Sequence, residues 1–498
     1  MAKSVESRFR PPAFVFGVLA FSGAVGRVGA QTPPANPAPA AVPASSTSAP
    51  GVPVGDAKPP IEGAGKASEA GAKAAEPGPL LQIKTPLMRS LTIGGRFRLR
   101  GEWRDPADYR VPGTFGRPAT DDPDGDTDMV LMRTRLYFDV DVIDPVRVYV
   151  EMQDSRQWGD EPSTVADTAD LSLKQGYVEF RKVLGAPLSV RAGRMELPAL
   201  GDQRLISPLD WHNVGRSWDG VHATWTPADW VVHGIATNLK EANLTGGDAG
   251  DDHWFGGLYA SYRGMKDHEL DAYVFHRSLS DRTFAAEVGG RKGERWDLTP
   301  GFRAKGKCGA WDYGGEVMGQ FGSQAGDPVR AWAGAATLGC TFDIAWKPRV
   351  GVEYDYASGD RDPTDHEFNT FDPLLPFNHA YQGHGDFVGW RNLHDAMVSV
   401  RVAPCGTLTV NLDAHAFRLA ESRDAWYGDP PGVTIRRDKT GGSGRDLGES
   451  IDLYAKWKWW DRVAFWTGYS HFFPGSYVDR TGIAPDGNWV FLQMEVYF

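Results

Sequence analysis

The chain has 498 residues, 41% hydrophobic and 12% aromatic with 18 Trp, and a formal net charge of −11 at pH 7. No apolar run after the N-terminus is long enough to cross a bilayer as a helix, which excludes a helical membrane protein. A mean hydropathy of −0.39 would suit a soluble protein, yet a membrane β-barrel averages no higher, because each strand gives only every second residue to lipid.

Lys3, Arg8 and Arg10 precede the apolar stretch Ala13-Phe-Val-Phe-Gly-Val-Leu-Ala-Phe21, and Val28-Gly-Ala30 offers small residues for cleavage. The pattern predicts a signal peptide over 1–30, a mature chain from Gln31 and an oxidising, extracytoplasmic compartment. Residues 31–87 are rich in Pro and Ala and too poor in apolar groups to offset the entropy of ordering, so they read as a disordered periplasmic linker. Such a linker is either inert or binds peptidoglycan or a partner.

From residue 88 to 498 period-two segments recur. Leu91, Ile93, Phe97, Leu99 and Trp103 share one face, with Arg96, Arg98, Arg100, Glu102 and Arg104 on the other. Val130, Met132, Leu136, Phe138, Val140 and Val142 oppose Arg133, Arg135, Asp139 and Asp141 in the same way. Further strands are expected near 146–158, 170–183, 187–197, 217–226, 230–238, 254–263, 268–277, 295–305, 310–321, 329–341, 347–357, 392–403, 407–419, 447–459, 462–472 and 488–498, about 18 in all. Short turns such as Ile143-Asp-Pro145, Gly185-Ala-Pro187 and Trp460-Asp461 alternate with the longer stretches 105–127, 198–216, 239–253, 278–294, 358–391 and 420–446. Short turns at one rim and long loops at the other predict an all-β, transmembrane, antiparallel up-and-down barrel with periplasmic turns and extracellular loops. The last segment, ending Leu492-Gln-Met-Glu-Val-Tyr-Phe498, reads as the closing strand. Its terminal aromatic is the expected handle for the barrel-assembly machinery.

With the apolar face in lipid, the other face lines the lumen, and parity places Arg96, Arg98, Arg100, Arg133, Arg135, Arg147, Arg191, Arg303, Lys305, Arg349 and Arg401 there. Rings of arginine select anions. Asp139, Asp141, Glu151, Glu179, Glu353, Asp355, Asp395 and Asp413 share that face, so a structural ion-pair lattice stands beside the anion-path reading. Much of the negative charge lies in loops. The run Asp121, Asp122, Asp124, Asp126 and Asp128 either binds calcium, repels lipopolysaccharide phosphate or keeps a loop solvated. Cys308, Cys340 and Cys405 match no zinc spacing, and Cys308 with Cys340 is a candidate disulfide. The histidines at 212, 222, 233, 276, 384, 394, 415 and 471 have no serine or acid at triad spacing, so catalysis is not expected.

Six stretches in order carry a family resemblance: Glu151-Met-Gln-Asp-Ser-Arg-Gln-Trp158, Gly193-Arg-Met-Glu-Leu197 with Gly201-Asp-Gln-Arg-Leu-Ile206, Gly215-Arg-Ser-Trp-Asp-Gly220, Ser358-Gly-Asp360, Gly389-Trp-Arg-Asn-Leu393 and Gly468-Tyr-Ser-His-Phe-Phe-Pro-Gly475. Over roughly 88–498 the chain resembles the alginate-export family of outer-membrane barrels. The resemblance implies a monomeric porin whose arginine-lined constriction passes an anionic uronate polysaccharide, with long loops over its mouth and no cofactor. It adds Glu151, Asp154, Arg156, Arg194, Arg204, Arg216, Asp360 and Arg391 to the expected substrate path. It also implies a plug on the periplasmic turn before the second-last strand, for which Trp459-Trp-Asp-Arg462 leaves no room. Expected partners are outer-membrane lipid and lipopolysaccharide, the assembly machinery at Phe498, the polysaccharide and periplasmic secretion proteins, with no nucleic acid. A passive uptake channel for small anionic or hydrophobic solutes is the alternative, and an outer-membrane enzyme a more distant one.

Overall fold

A computed structural model describes residues 81–85, 88–106, 108–110, 125–158, 169–240, 253–428 and 433–498. The signal segment and the linker to residue 80 lie outside them. After a short strand β1 (Leu81–Thr85), the wall is built in chain order from β2 (Met88–Asp105), β3 (Thr127–Ile143), β4 (Val146–Trp158), β5 (Ala169–Phe180), β6 (Leu188–Met195), β7 (Trp218–Trp225), β8 (Trp230–Lys240) and β9 (His253–Tyr262). It continues through β10 (His268–Ala285), β11 (Lys292–Cys308), β12 (Trp311–Gln324), β13 (Asp327–Thr341), β14 (Arg349–Ala357), β15 (Leu393–Cys405) and β16 (Leu408–Leu419). A separate ribbon of β17 (Ala425–Tyr427) and β18 (Thr434–Arg437) precedes the last wall strands, β19 (Asp446–Trp460), β20 (Val463–Pro474) and β21 (Gly487–Tyr497), with a helix α1 (Ser476–Thr481) between β20 and β21. Each wall strand pairs antiparallel with the next, and β21 pairs with β2 in the register Arg96↔Tyr497 to Asp105↔Asn488. The result is the closed 18-strand barrel that the period-two segments predict.

Alternation sorts the side chains. Leu258, Phe302, Val317, Val352, Val398, Leu412, Ile451 and Leu453 point outward and are exposed, while their chain neighbours Tyr259, Arg303, Met318, Glu353, Met397, Asp413 and Asp452 point inward and are buried. Exposed indoles ring the short-turn rim at Trp225, Trp230, Trp311, Trp346, Trp457, Trp459 and Trp460, and a second set stands toward the long-loop rim at Trp158, Trp254, Trp296 and Trp332. Two aromatic belts around an aliphatic band are the signature of a wall solvated by lipid.

The structure departs from the sequence reading in three places. Residues 278–294 are mostly wall, because β10 and β11 run on into that polar stretch, paired from Leu279↔Arg295 to Ala285↔Lys292 across a bulge. Strand β1 falls inside the segment read as linker; it forms a hairpin on β2 beside the seam, where the backbone of Phe498 pairs with Gly95 at 2.7 and 3.0 Å. The Cys308–Cys340 disulfide does not form: all three cysteines are free thiols. Cys308 pairs with Trp311 and Trp311 with Cys340, so a strand separates them. Two strand spacings come to about 9–10 Å, beyond disulfide reach.

The long loops turn inward. Leu197, Leu200, Leu205 and Ile206 from one loop meet Phe371, Leu374, Phe387, Val388 and Trp390 from another, together with Trp426, Ile435, Tyr477 and Val478, and pack on the inward wall residues Trp218, Phe255, Phe275, Met318, Phe417 and Phe472. An apolar core thus forms inside the barrel at its long-loop end.

Candidate functional site

The inward rows of β2 and β3 lie side by side, with Arg96 opposite Arg135 and Arg98 opposite Arg133. Together with Arg100 they place five guanidiniums on one patch of wall. Such an array is adapted to carboxylates, because each fork offers paired, charge-assisted donors. Glu102 at 2.7 Å from Arg100, Glu196 at 3.3 Å from Arg135 and Glu495 at 3.7 Å from Arg96 offset part of the charge.

The loop of residues 196–217 crosses this patch. Asp210 Oδ1 accepts from Arg96 at 2.6 Å and Arg133 at 2.9 Å, and Arg135 lies 3.0 Å away. The carbonyl of Asp210 accepts from Arg98 and Arg133, that of Trp211 from Arg100 and that of His212 from Arg98 and Arg133, over 2.7–3.1 Å. The Arg100 guanidinium also stands 3.7 Å over the Trp211 ring, which stacks on His379 of the second loop at 4.1 Å. Gln153 and Ser155 of β4 fix the far side by donating to the carbonyls of Val214 and Asn213 at 2.9 and 3.0 Å.

The other expected residues divide by location. Arg204 pairs with Glu353 and Asp355 at 2.6 and 2.7 Å and covers Tyr381, and Arg216 donates to the carbonyls of Ser207, Leu375 and Pro376, joining the two loops. Arg391 pairs with Asp372 at 3.3 Å inside the second loop. Arg303 holds Asp202, Glu269 and Asp271; Arg349 holds Asp312 at 2.7 Å; Arg191 holds Glu179 at 3.0 Å. Glu151 is buried on the inward row of β4.

Three residues face the other way. Asp154 and Arg156 stand in the outward row of β4 with Val148, Val150 and Met152, paired with each other at 2.9 Å, and Arg194 stands in the outward row of β6, paired with Asp219 at 2.6 Å. Strand parity takes them off the lumen wall. Asp121, Asp122 and Asp124 lie outside the described residues; Asp126 accepts from the Trp103 indole at 3.1 Å.

Period-two reasoning missed Asp202, Asp210, Trp211 and Asp372, which sit in loops, and Lys174, which a bulge in β5 turns inward to bond the Arg216 carbonyl at 2.8 Å. A Pro208-Leu-Asp-Trp-His sequence carries no local sign that its carboxylate meets Arg96, 114 positions away, and Arg133, 77 positions away.

Asp360 ties the start of the second loop to the rim, with its backbone N–H on Asp424 at 3.0 Å. Burial, then the neighbouring Glu287 and Asp424 carboxylates, push its carboxyl up to about 8. A raised acid binds its proton more tightly in the seated loop than in a released one. Its contribution is therefore complete below the ordinary carboxylate range and is lost as pH rises toward about 8. Conductance in planar bilayers is expected to climb over that window, and Asp360→Asn, which mimics the protonated acid, is expected to flatten the climb. An equal pH dependence in both proteins counts against Asp360 as the titrating group.

The sequence profile of the alginate export family matches residues 89–490. The chain belongs to the alginate export family. No curated protein matches it in sequence. Among solved structures it is similar to Pseudomonas aeruginosa OpdQ, at 12% identity and a TM-score of 0.52 over 82% of this chain and 98% of that one. It is also similar to P. aeruginosa OccD3 (OpdP), at 11% and 0.52 over 88% and 94%, and to P. aeruginosa OpdK, solved with vanillate, at 11% and 0.51 over 82% and 98%. At such identities the likeness is one of fold. Family and fold together make this chain an outer-membrane channel rather than an enzyme.

Proposed function

We propose that this channel passes an anionic uronate polysaccharide, such as alginate, along the arginine wall of β2 and β3. The observation that carries the reading is the register that sets Arg96, Arg98 and Arg100 beside Arg133 and Arg135 on one inward patch. A uronate chain presents one carboxylate per sugar, and a fixed array of forks can pass it from one guanidinium to the next without holding it tightly at any. The loops folded into the bore favour a second reading, uptake of small carboxylates.

Planar-bilayer recordings test both. The barrel is expected to prefer anions and to be blocked by uronate oligomers more strongly the longer they are; block by monomer alone, with no length dependence, would favour the small-solute reading. Arg98→Gln with Arg133→Gln is expected to weaken the anion preference by about 1 kcal/mol per removed charge. Unchanged selectivity would assign these arginines to a structural lattice instead.

A further inference from the structure

We propose that Asp210 is a tethered stand-in for a substrate carboxylate: it occupies a carboxylate subsite made by Arg96, Arg133 and Arg135, and an incoming uronate displaces it together with the surrounding loop. The proposal rests on the reading of the barrel as an anion path and specifies how that path is closed.

Five observations converge on it. One oxygen of Asp210 takes all three guanidiniums, at 2.6, 2.9 and 3.0 Å. The arginines are 19%, 1% and 5% exposed, but the aspartate is 42% exposed, so a solute can reach the ion cluster from the side the aspartate occupies. The remaining bonds from Arg98, Arg100 and Arg133 to this segment go to neutral carbonyls, which a carboxylate outcompetes as acceptor. Meanwhile the buried Arg135 Nη2 and Arg98 Nε have no hydrogen-bond partner among the described residues, so the loop does not use the full donor set. Finally, Leu209 holds φ +52° immediately before Asp210, a left-handed conformation that is strained for a residue with a side chain. The seated loop is therefore held by its contacts and relaxes when they are exchanged for those of a ligand.

The consequence is a gate keyed to the cargo. A neutral sugar offers nothing to replace Asp210, whereas each arriving uronate does. Displacement would also unstack Trp211 from His379, transmitting release to the second loop.

The test uses the full-length barrel in planar bilayers with glucuronate as probe and glucose as the neutral control. Asp210→Asn keeps the shape and removes the charge; it is expected to raise conductance at least twofold and to lower the glucuronate concentration for half-block about tenfold, with glucose inert. Values within twofold of the parent overturn the proposal. A second variant covers a folding failure of the first: Ser155→Cys with Asn213→Cys, with Cys308, Cys340 and Cys405 changed to Ser, pins the loop to β4, where Ser155 Oγ already donates to the Asn213 carbonyl. Oxidised, it is expected to be insensitive to glucuronate, and reduction should restore the parent response; equal responses in both states overturn displacement. A parent barrel without anion preference would sink the proposed function itself, whereas an anion-selective parent with an unmoved Asp210→Asn sinks only the latch.

Discussion

Removal of residues 362–388 is expected to raise single-channel conductance several-fold and to sensitise cells to large antibiotics. This connection carries Phe371, Leu374, Phe377, Tyr381 and Phe387 into the barrel, where all five are buried. Its backbone docks on the other inward loop, with Leu375 N–H on the Leu205 carbonyl at 2.9 Å, Ser207 N–H on the Leu375 carbonyl at 3.0 Å and Phe377 N–H on the Gln203 carbonyl at 3.1 Å. Further along, Gln382 donates to Asp355 at 2.8 Å and the His384 N–H to Asp452 at 3.0 Å, so the segment reaches the wall at β14 and β19. Deleting it removes Phe371, Leu374, Phe387 and Val388 from the apolar core and the Leu375 and Pro376 carbonyls that accept from Arg216, while every wall strand keeps both neighbours. The expected product is a folded barrel with a wetter bore. A deletion mutant that retains heat-resistant mobility on gels yet conducts like the parent would exclude an occluding role.

That the 358–391 connection folds over or into the mouth was legible in the sequence, because its eight large apolar groups, from Phe368 to Trp390, cannot all be left in water. Its partners were not. The wall was legible for the same kind of reason: lipid outside and a polar interior impose period two on each strand separately, so every strand can be read by itself. Contacts inside the bore are set by three-dimensional closure. Arg133 finds Asp210 across 77 positions and Arg204 finds Asp355 across 151, and no local pattern records either pair. Where family motifs and parity disagreed, at Asp154, Arg156 and Arg194, the pleat decided, since a strand cannot turn one polar residue inward without a bulge. Lys174 is the reverse case, a residue that a bulge moved onto the inner face.

Arg303→Met is expected to destabilise the barrel more than any other single change on the inner wall, by about 3–5 kcal/mol as for a broken buried ion pair. The guanidinium is 1% exposed and grips Asp202 through two bonds of 2.8 Å, Glu269 at 2.9 Å, and Asp271. Methionine fills the space but leaves three carboxylates facing one another in a poorly hydrated site. Lys305, 3.1 Å from Asp202, offsets part of that repulsion, which places the expected cost toward the lower end of the range. Because Asp202 belongs to the loop of residues 196–217, the loop should loosen as well as the wall. Asp202→Asn alone should cost far less, since Arg303 keeps Glu269 and Asp271, and adding it to Arg303→Met should recover part of the loss. Urea unfolding of the detergent-solubilised barrel reads all three variants. A methionine variant as stable as the parent, or no recovery in the double variant, would show that the cluster is hydrated rather than buried, and that Arg303 is free to serve the solute path instead of the scaffold.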